Sequence, residues 1–110
     1  MYIPMSENEI RKFTIDGVEL DVKPLTGENE IFYFEQVEAA DKAQSNFDRI
    51  KTSRGIFDYF VKGYKHPETG SVVTFDAINL PSSHFGMVFI NQFIANLDKI
   101  NTLTVEEKKI

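Results

Sequence analysis

A two-residue break in an alternating segment constrains the fold of this chain more than any other feature. In residues 12–23, apolar and polar residues alternate on both sides of Asp16-Gly17. Asp-Gly in this setting favours a β-hairpin, because a type I′ turn needs positive φ at both central residues. The period of two places Val18, Leu20 and Val22 on one face of the second strand. Because an isolated hairpin is marginally stable in water, we expect that face to pack on helices.

The first helix is expected over about residues 27–44. Thr26 is a good N-cap, and acidic residues follow it in the first turn, where they favour the positive end of the helix dipole. The apolar residues of this helix cover a broad arc, but Ile31 and Phe34 fall outside it, among acidic residues. Two interpretations stay open for this pair: the hairpin covers it, or it contacts a partner.

A second helix is expected over about residues 46–64 and a third over about residues 83–99. The third is apolar over more than half its circumference, which is typical of a helix that is buried or completed by another chain. Between the two helices we expect turns at residues 66–70 and then either a short strand at 72–75 or a helical turn at 75–80. The second helix has its apolar residues within one half of the helical wheel: Phe47, Ile50, Phe57, Phe60, Val61 and Tyr64.

These elements predict one α+β domain that is mainly helical, with an N-terminal β-hairpin packed on about three α-helices. A length of 110 residues is typical of one domain. We assign residues 12–100 to this domain, residues 1–11 to a loose lead-in and residues 101–110 to a mobile tail, since neither end carries a packing pattern. No segment approaches the roughly 18 apolar residues of a membrane span. The absence of cysteine fits a reducing cytoplasm.

Charge is distributed unevenly along the chain, which carries a net charge of −5. Residues 1–41 hold 10 acidic and 3 basic side chains, whereas residues 42–66 hold 2 acidic and 6 basic ones. The two segments could pack together with complementary fields, or the acidic end of one copy could contact the basic middle of another. Nucleic acid on the basic middle is the third alternative, but the net negative charge argues against a phosphate-binding role.

The residues that usually carry catalysis are sparse. Two histidines without cysteine cannot form a structural zinc site, and His66 and His84 are better explained as turn or cap residues. Ser82-Ser83 before His84 is better explained as an N-cap than as a nucleophile beside a base. The acidic residues near the hairpin tip are expected to be solvated, and no glycine-rich phosphate-binding motif is present. The sequence therefore predicts no enzyme, no metal and no cofactor.

Aromatic residues are unusually abundant for a chain of this size, with 10 Phe and 4 Tyr in 110 residues. Each buried ring takes up roughly 150–250 Å² of surface, so one small core has difficulty enclosing all of them. Aromatic residues are also enriched in the centres of protein interfaces. We therefore expect self-association into a homo-oligomer. The candidate partner-binding residues are Ile31, Phe34, Tyr59, Phe85, Phe89 and Phe93.

Residues 13–30, FTIDGVELDVKPLTGENE, resemble the opening of tail assembly chaperones from long-tailed bacteriophages and prophages. The shared pattern is a short strand, a glycine turn, a second strand that ends in a basic-Pro-Leu step, and then Thr before an acidic helix start. The resemblance covers about a sixth of the chain, and residues 31–110 offer no residue-level match. It implies a mainly helical fold with a small hairpin and carries no catalytic residue.

The resemblance also implies a function in tail morphogenesis. Family members bind the long, largely helical tape-measure protein in the cytoplasm of the bacterial host and leave before the virion is finished. The first alternative is a structural connector or head–tail adaptor that remains in the particle. The second is a small acidic inhibitor of a host nucleic-acid enzyme, which the acidic residues 1–41 suggest.

Overall fold

The computed structural model describes residues 10–108, and it describes side chains over residues 10–99. It confirms the α+β class, with an antiparallel sheet and three α-helices. A short 3₁₀ turn, Pro81–Ser83, precedes the last helix. In chain order the elements are β1 Arg11–Ile15, β2 Val18–Val22, α1 Glu28–Lys42, α2 Asn46–Phe60, β3 Val61–Lys65, β4 Val72–Thr74 and α3 Met87–Lys108.

The predicted hairpin is confirmed in its turn and in its register. Asp16 and Gly17 have φ of 49° and 80°, as a type I′ turn requires, and Ile15 lies opposite Val18. Leu20 and Val22 have no exposed surface, so the apolar face packs inward as expected. Charged side chains occupy the outer face, where the Lys12 ammonium contacts the Asp21 carboxylate at 2.5 Å.

The position predicted for the C-terminal end of the second helix is wrong. α2 stops at Phe60, and the next residue begins β3, which pairs antiparallel with β2 on one side and β4 on the other. The backbone N–H of Lys23 donates to the carbonyl oxygen of Phe60 at 2.9 Å, so pairing with the hairpin begins where the helix ends. The helical spacing of Val61 and Tyr64 is therefore overridden by sheet pairing, which gives the hairpin the additional strands that it lacks alone. β4 confirms the short strand expected near residues 72–75.

The start of the first helix also differs from the prediction. Gly27, with φ of 58°, occupies the N-cap position without a side-chain cap, and the Thr26 hydroxyl is buried without a hydrogen-bond partner in the described part of the chain. The helix ends at Lys42 rather than near residue 44, because Ser45 caps α2 by accepting a hydrogen bond from the backbone of Asp48. Gly55 lies inside α2 and does not interrupt it.

The third predicted helix begins too early and ends too early. Ser82 lies in the 3₁₀ turn, where its backbone and hydroxyl both donate to the Asp58 carboxylate, at 2.7 and 2.9 Å. α3 begins only at Met87 and continues through residues 101–108, which were assigned to a separate tail. At the other end, Arg11 belongs to β1 rather than to the lead-in. Residues 1–9, 109 and 110 lie outside the described residues, and mobility at either end stays a prediction.

The core joins the inner face of the sheet to all three helices through aromatic contacts. Phe57 of α2 is fully buried, and its ring lies 5.1 Å from that of Phe93 on α3. Phe93 in turn contacts Phe13 of β1 at 5.9 Å, and Tyr33 of α1 meets Phe60 edge-on at 6.3 Å. The Tyr33 hydroxyl also donates a hydrogen bond to Asp98 of α3. These contacts hold the base of the α1–α2 pair against α3 and the sheet.

Candidate protein-binding surface

α1 and α2 form an antiparallel helical hairpin that is tightly packed at its base. Phe32 and Tyr59 stack with ring centroids 3.9 Å apart. Near the tip, residues 44–51 are all exposed. The tip of this helical hairpin therefore projects from the body, which leaves apolar side chains at the start of α2 accessible.

The first exposed apolar pair is the one that the sequence analysis singled out on α1. Ile31 is 61% exposed and Phe34 is 46% exposed, so the β-hairpin does not cover them. They lie one turn apart on the side of α1 opposite the core. Glu35 and Glu38 follow on the same side and are exposed. This group, Ile31, Phe34, Glu35 and Glu38, is called the α1 face below.

The second exposed apolar pair lies on α2, within the apolar half of its helical wheel. Phe47 is 73% exposed and Ile50 is 41% exposed. Ile50 precedes the buried Phe57 by seven residues and therefore shares its side of α2, but Phe57 packs on Phe89 and Phe93 of α3 whereas Ile50 is exposed. A wheel shows which side of a helix is apolar and not how far the neighbouring helix extends. Charged residues at this end of α2, such as Asp48, Arg49 and Lys51, are a sequence signal that it is exposed to solvent.

Tyr59 is a structural residue in this fold. Its hydroxyl donates to the side-chain oxygen of Asn29 at 2.8 Å, and the buried Asn29 donates in turn to the carbonyl oxygen of Pro24. The ammonium of Lys23 lies 3.9 Å from the centre of the Tyr59 ring. Partial burial, and then the charge of Lys62, lower the pKa of Lys23 from its ordinary value of 10.5. These contacts join α2, the start of α1 and the end of β2.

The three candidate phenylalanines near α3 differ in accessibility. Phe93 has no exposed surface and lies against Phe57, so the folded chain does not present it to a partner. Phe85 and Phe89 are half-buried and stack on each other at 4.4 Å, with Phe57 behind them. The edges of these two rings stay accessible, whereas the exposed residue beside them is Val88, at 76%. Among the six candidate residues, Phe85 and Phe89 are therefore partly accessible, whereas Ile31 and Phe34 of α1 are exposed.

The polar residues considered for chemistry have structural contacts. The His66 ring nitrogen accepts hydrogen bonds from the backbone of Glu68 and Thr69, which makes it a turn residue as expected. His84 follows the 3₁₀ turn, and its Nε2 lies 2.8 Å from the side-chain oxygen of Asn79. Within the described residues, no group of three His, Cys, Asp or Glu side chains is placed to hold a metal ion.

Comparisons with protein-family models, with curated proteins and with solved structures found no match to this chain. Over the described part of the chain, none of the helices combines the length and apolar character needed to cross a membrane.

Proposed function

We propose that this chain is a non-catalytic tail assembly chaperone of a long-tailed bacteriophage or prophage, which binds the helical tape-measure protein in the host cytoplasm. The observation that carries the proposal is the exposure of Ile31 and Phe34 one turn apart on α1. An apolar pair at this spacing is what an amphipathic helix of another protein can pack against. The resemblance of residues 13–30 to the chaperone family supports the choice of client.

The strength of such a contact fits a transient role. Full burial of an Ile or Phe side chain contributes about 1.5–3 kcal/mol, and this pair is roughly half exposed, so covering both contributes about 2–3 kcal/mol before any cost of association. One copy would therefore bind weakly and leave readily. A long helical client offers many sites, and several copies bound along it could still keep it soluble. The acidic neighbours Glu35 and Glu38 favour client helices with basic residues beside their apolar stripe.

The test is co-expression with the tape-measure protein that this proposal expects to be encoded beside this gene, followed by co-purification. We expect the unmodified chain to be recovered with the client and the double variant Ile31→Ser/Phe34→Ser to be lost from the complex. Ile78→Ser is the matched control, because Ile78 is 95% exposed but lies in the loop before the 3₁₀ turn. Equal recovery of the double variant would contradict the assigned surface. Detection of the chain in purified virions would contradict the chaperone role and favour a structural connector.

A further inference from the structure

The exposed surfaces of α1 and α2 share one spacing and carry opposite charges. On α1, Ile31 and Phe34 occupy the first and fourth positions of an eight-residue stretch, and Glu35 and Glu38 occupy the fifth and eighth. On α2 the same four positions are filled by the residues called the α2 face below: Phe47, Ile50, Lys51 and Arg54. All four apolar side chains are between 41% and 73% exposed. The two faces thus match residue by residue, apolar with apolar and acidic with basic.

We propose that the α1 face of one copy packs in parallel on the α2 face of a second copy. In a parallel alignment, Glu35 lies level with Lys51 and Glu38 with Arg54, while the apolar pairs meet one turn earlier. Each face extends over seven residue intervals of its helix, which is about 10 Å at 1.5 Å per residue. Because the two lengths are equal, all four contacts can form together. An antiparallel alignment would place the acidic and basic pairs at opposite ends of the contact.

The two faces of one copy cannot make this contact with each other. Within the chain, α1 and α2 run antiparallel and pack through other sides, where Phe32 stacks on Tyr59. Lys42 and Glu38 form an ion pair within α1 at 2.8 Å, and both groups are well exposed. Arg54 donates one hydrogen bond to the carbonyl oxygen of Ser82 and is half-buried. The exposed Lys42–Glu38 pair is weak, so it can rearrange when a second copy arrives, and the Arg54 guanidinium has further N–H donors beside the one bonded to Ser82.

A second copy is favoured over an unrelated partner because the complement of each face is present on the chain itself. Opposite charges beside a common apolar pair fix both alignment and partner, since any other alignment leaves the apolar pairs unmatched or the charges apart. This contact goes beyond client binding and does not depend on it. Self-association is measured on the purified chain alone. The self-association proposal can therefore fail while the client-binding proposal stands, and the client-binding proposal can fail while self-association stands.

The first test is charge exchange, followed by analytical ultracentrifugation of the full chain. We expect the unmodified chain to self-associate, and association to weaken as salt is raised, since exposed charges are screened beyond about 10 Å at 0.1 M. Glu35→Lys or Lys51→Glu alone should raise the dissociation constant about tenfold, because each places like charges in contact. The double variant Glu35→Lys/Lys51→Glu should restore association to within about threefold, since the attraction is re-formed with reversed sign. A chain that stays monomeric, or a double variant no better than the single ones, overturns the proposal.

The second test separates this contact from a symmetric one. The variants Ile31→Ser/Phe34→Ser and Phe47→Ser/Ile50→Ser each lose one face, and their exposed positions leave the core intact. Each should be monomeric alone, whereas a mixture should form a one-to-one complex, because one variant keeps the α2 face and the other keeps the α1 face. Self-association by either variant alone would indicate contact between like faces and contradict the proposal. The control Ile78→Ser should associate like the unmodified chain.

Discussion

Replacing Gly63 by alanine tests the part of the fold that the sequence did not predict. Gly63 lies in β3 opposite Thr74 of β4. A Cβ atom at this position would lie 2.5 Å from the carbonyl oxygen of Val73, and that oxygen belongs to backbone and cannot rotate away. To bring this contact to 3.0 Å, β3 and β4 must separate by about 0.5 Å. We therefore expect Gly63→Ala to destabilise the protein by weakening the pairing of these strands.

The expected magnitude follows from two opposing effects. Forcing an extra methyl into a packed site typically costs about 1–3 kcal/mol. Alanine also restricts the unfolded chain, which returns about 0.4–1 kcal/mol where the native backbone accepts it. The net loss for Gly63→Ala is thus up to about 2.6 kcal/mol, and about 1.3 kcal/mol at the middle of the two ranges. For a domain of this size each kcal/mol lowers Tm by about 4–8 °C. The expected decrease in Tm is therefore about 5–10 °C at the middle of the range and about 20 °C at most.

The measurement is urea and thermal unfolding followed by circular dichroism, with Gly55→Ala as the matched control. Gly55 lies inside α2, where a Cβ would meet no atom within 4 Å. Alanine there gains helix propensity and should stabilise the protein by up to about 1 kcal/mol. Replacement of glycine by alanine should therefore lower stability at Gly63 and raise it at Gly55, although the two residues lie in neighbouring elements. If Gly63→Ala is as stable as the unmodified chain, the close approach of β3 and β4 does not exist in solution.

Two further predictions concern the hairpin and the loop before the 3₁₀ turn. Leu20→Ala removes a fully buried side chain and should cost about 2–5 kcal/mol in urea unfolding, whereas Ile78→Ala, at a 95% exposed position, should change stability by under about 0.5 kcal/mol. Hydrogen bonds from the backbone N–H groups of Asn79 and Ile78 lower the pKa of Asp76 below 3.8. The contribution of Asp76 to stability is therefore present above pH 3.8 and lost as pH falls through its lower folded pKa. The Ile78 amide signal in an NMR titration should report that midpoint, and a value at or above 3.8 contradicts the turn geometry.

Sequence reasoning succeeded where one short-range rule determines the structure. The Asp16-Gly17 turn has one backbone solution that suits a hairpin, and burial of Leu20 and Val22 fixes the register, because a shift by one residue would bury charged residues instead. The helical periodicity of residues 46–60 likewise identified α2.

The prediction failed where a distant segment decides the outcome. Residues 61–65 carry apolar residues at a spacing compatible with α2, yet they form β3 because β2 and β4 provide hydrogen-bonding partners on both sides. No local signal reports the position of those strands. Gly63 was an available hint, since a glycine in a strand often marks close backbone approach, but its significance is visible only beside Val73.

The uneven charge of the sequence has a definite place in the fold. The acidic segment contains all of α1 except Lys42, and the basic segment contains all of α2. These helices pack on each other through aromatic side chains such as Phe32 and Tyr59. Lys12 pairs with acidic residues of the β-hairpin and Lys42 pairs within α1, and among the described residues no ion pair joins Glu35 to Lys51 inside one copy. The two segments thus pack together through aromatic contacts, and within the described chain the charges on the outer sides of α1 and α2 do not pair with each other. Those charges remain available to a second molecule, and each flanks an exposed apolar pair on a helical hairpin whose base is held by the core. The two proposals therefore place another copy and a client helix on the same α1 face, so the relative strength of those two contacts would decide which one is bound.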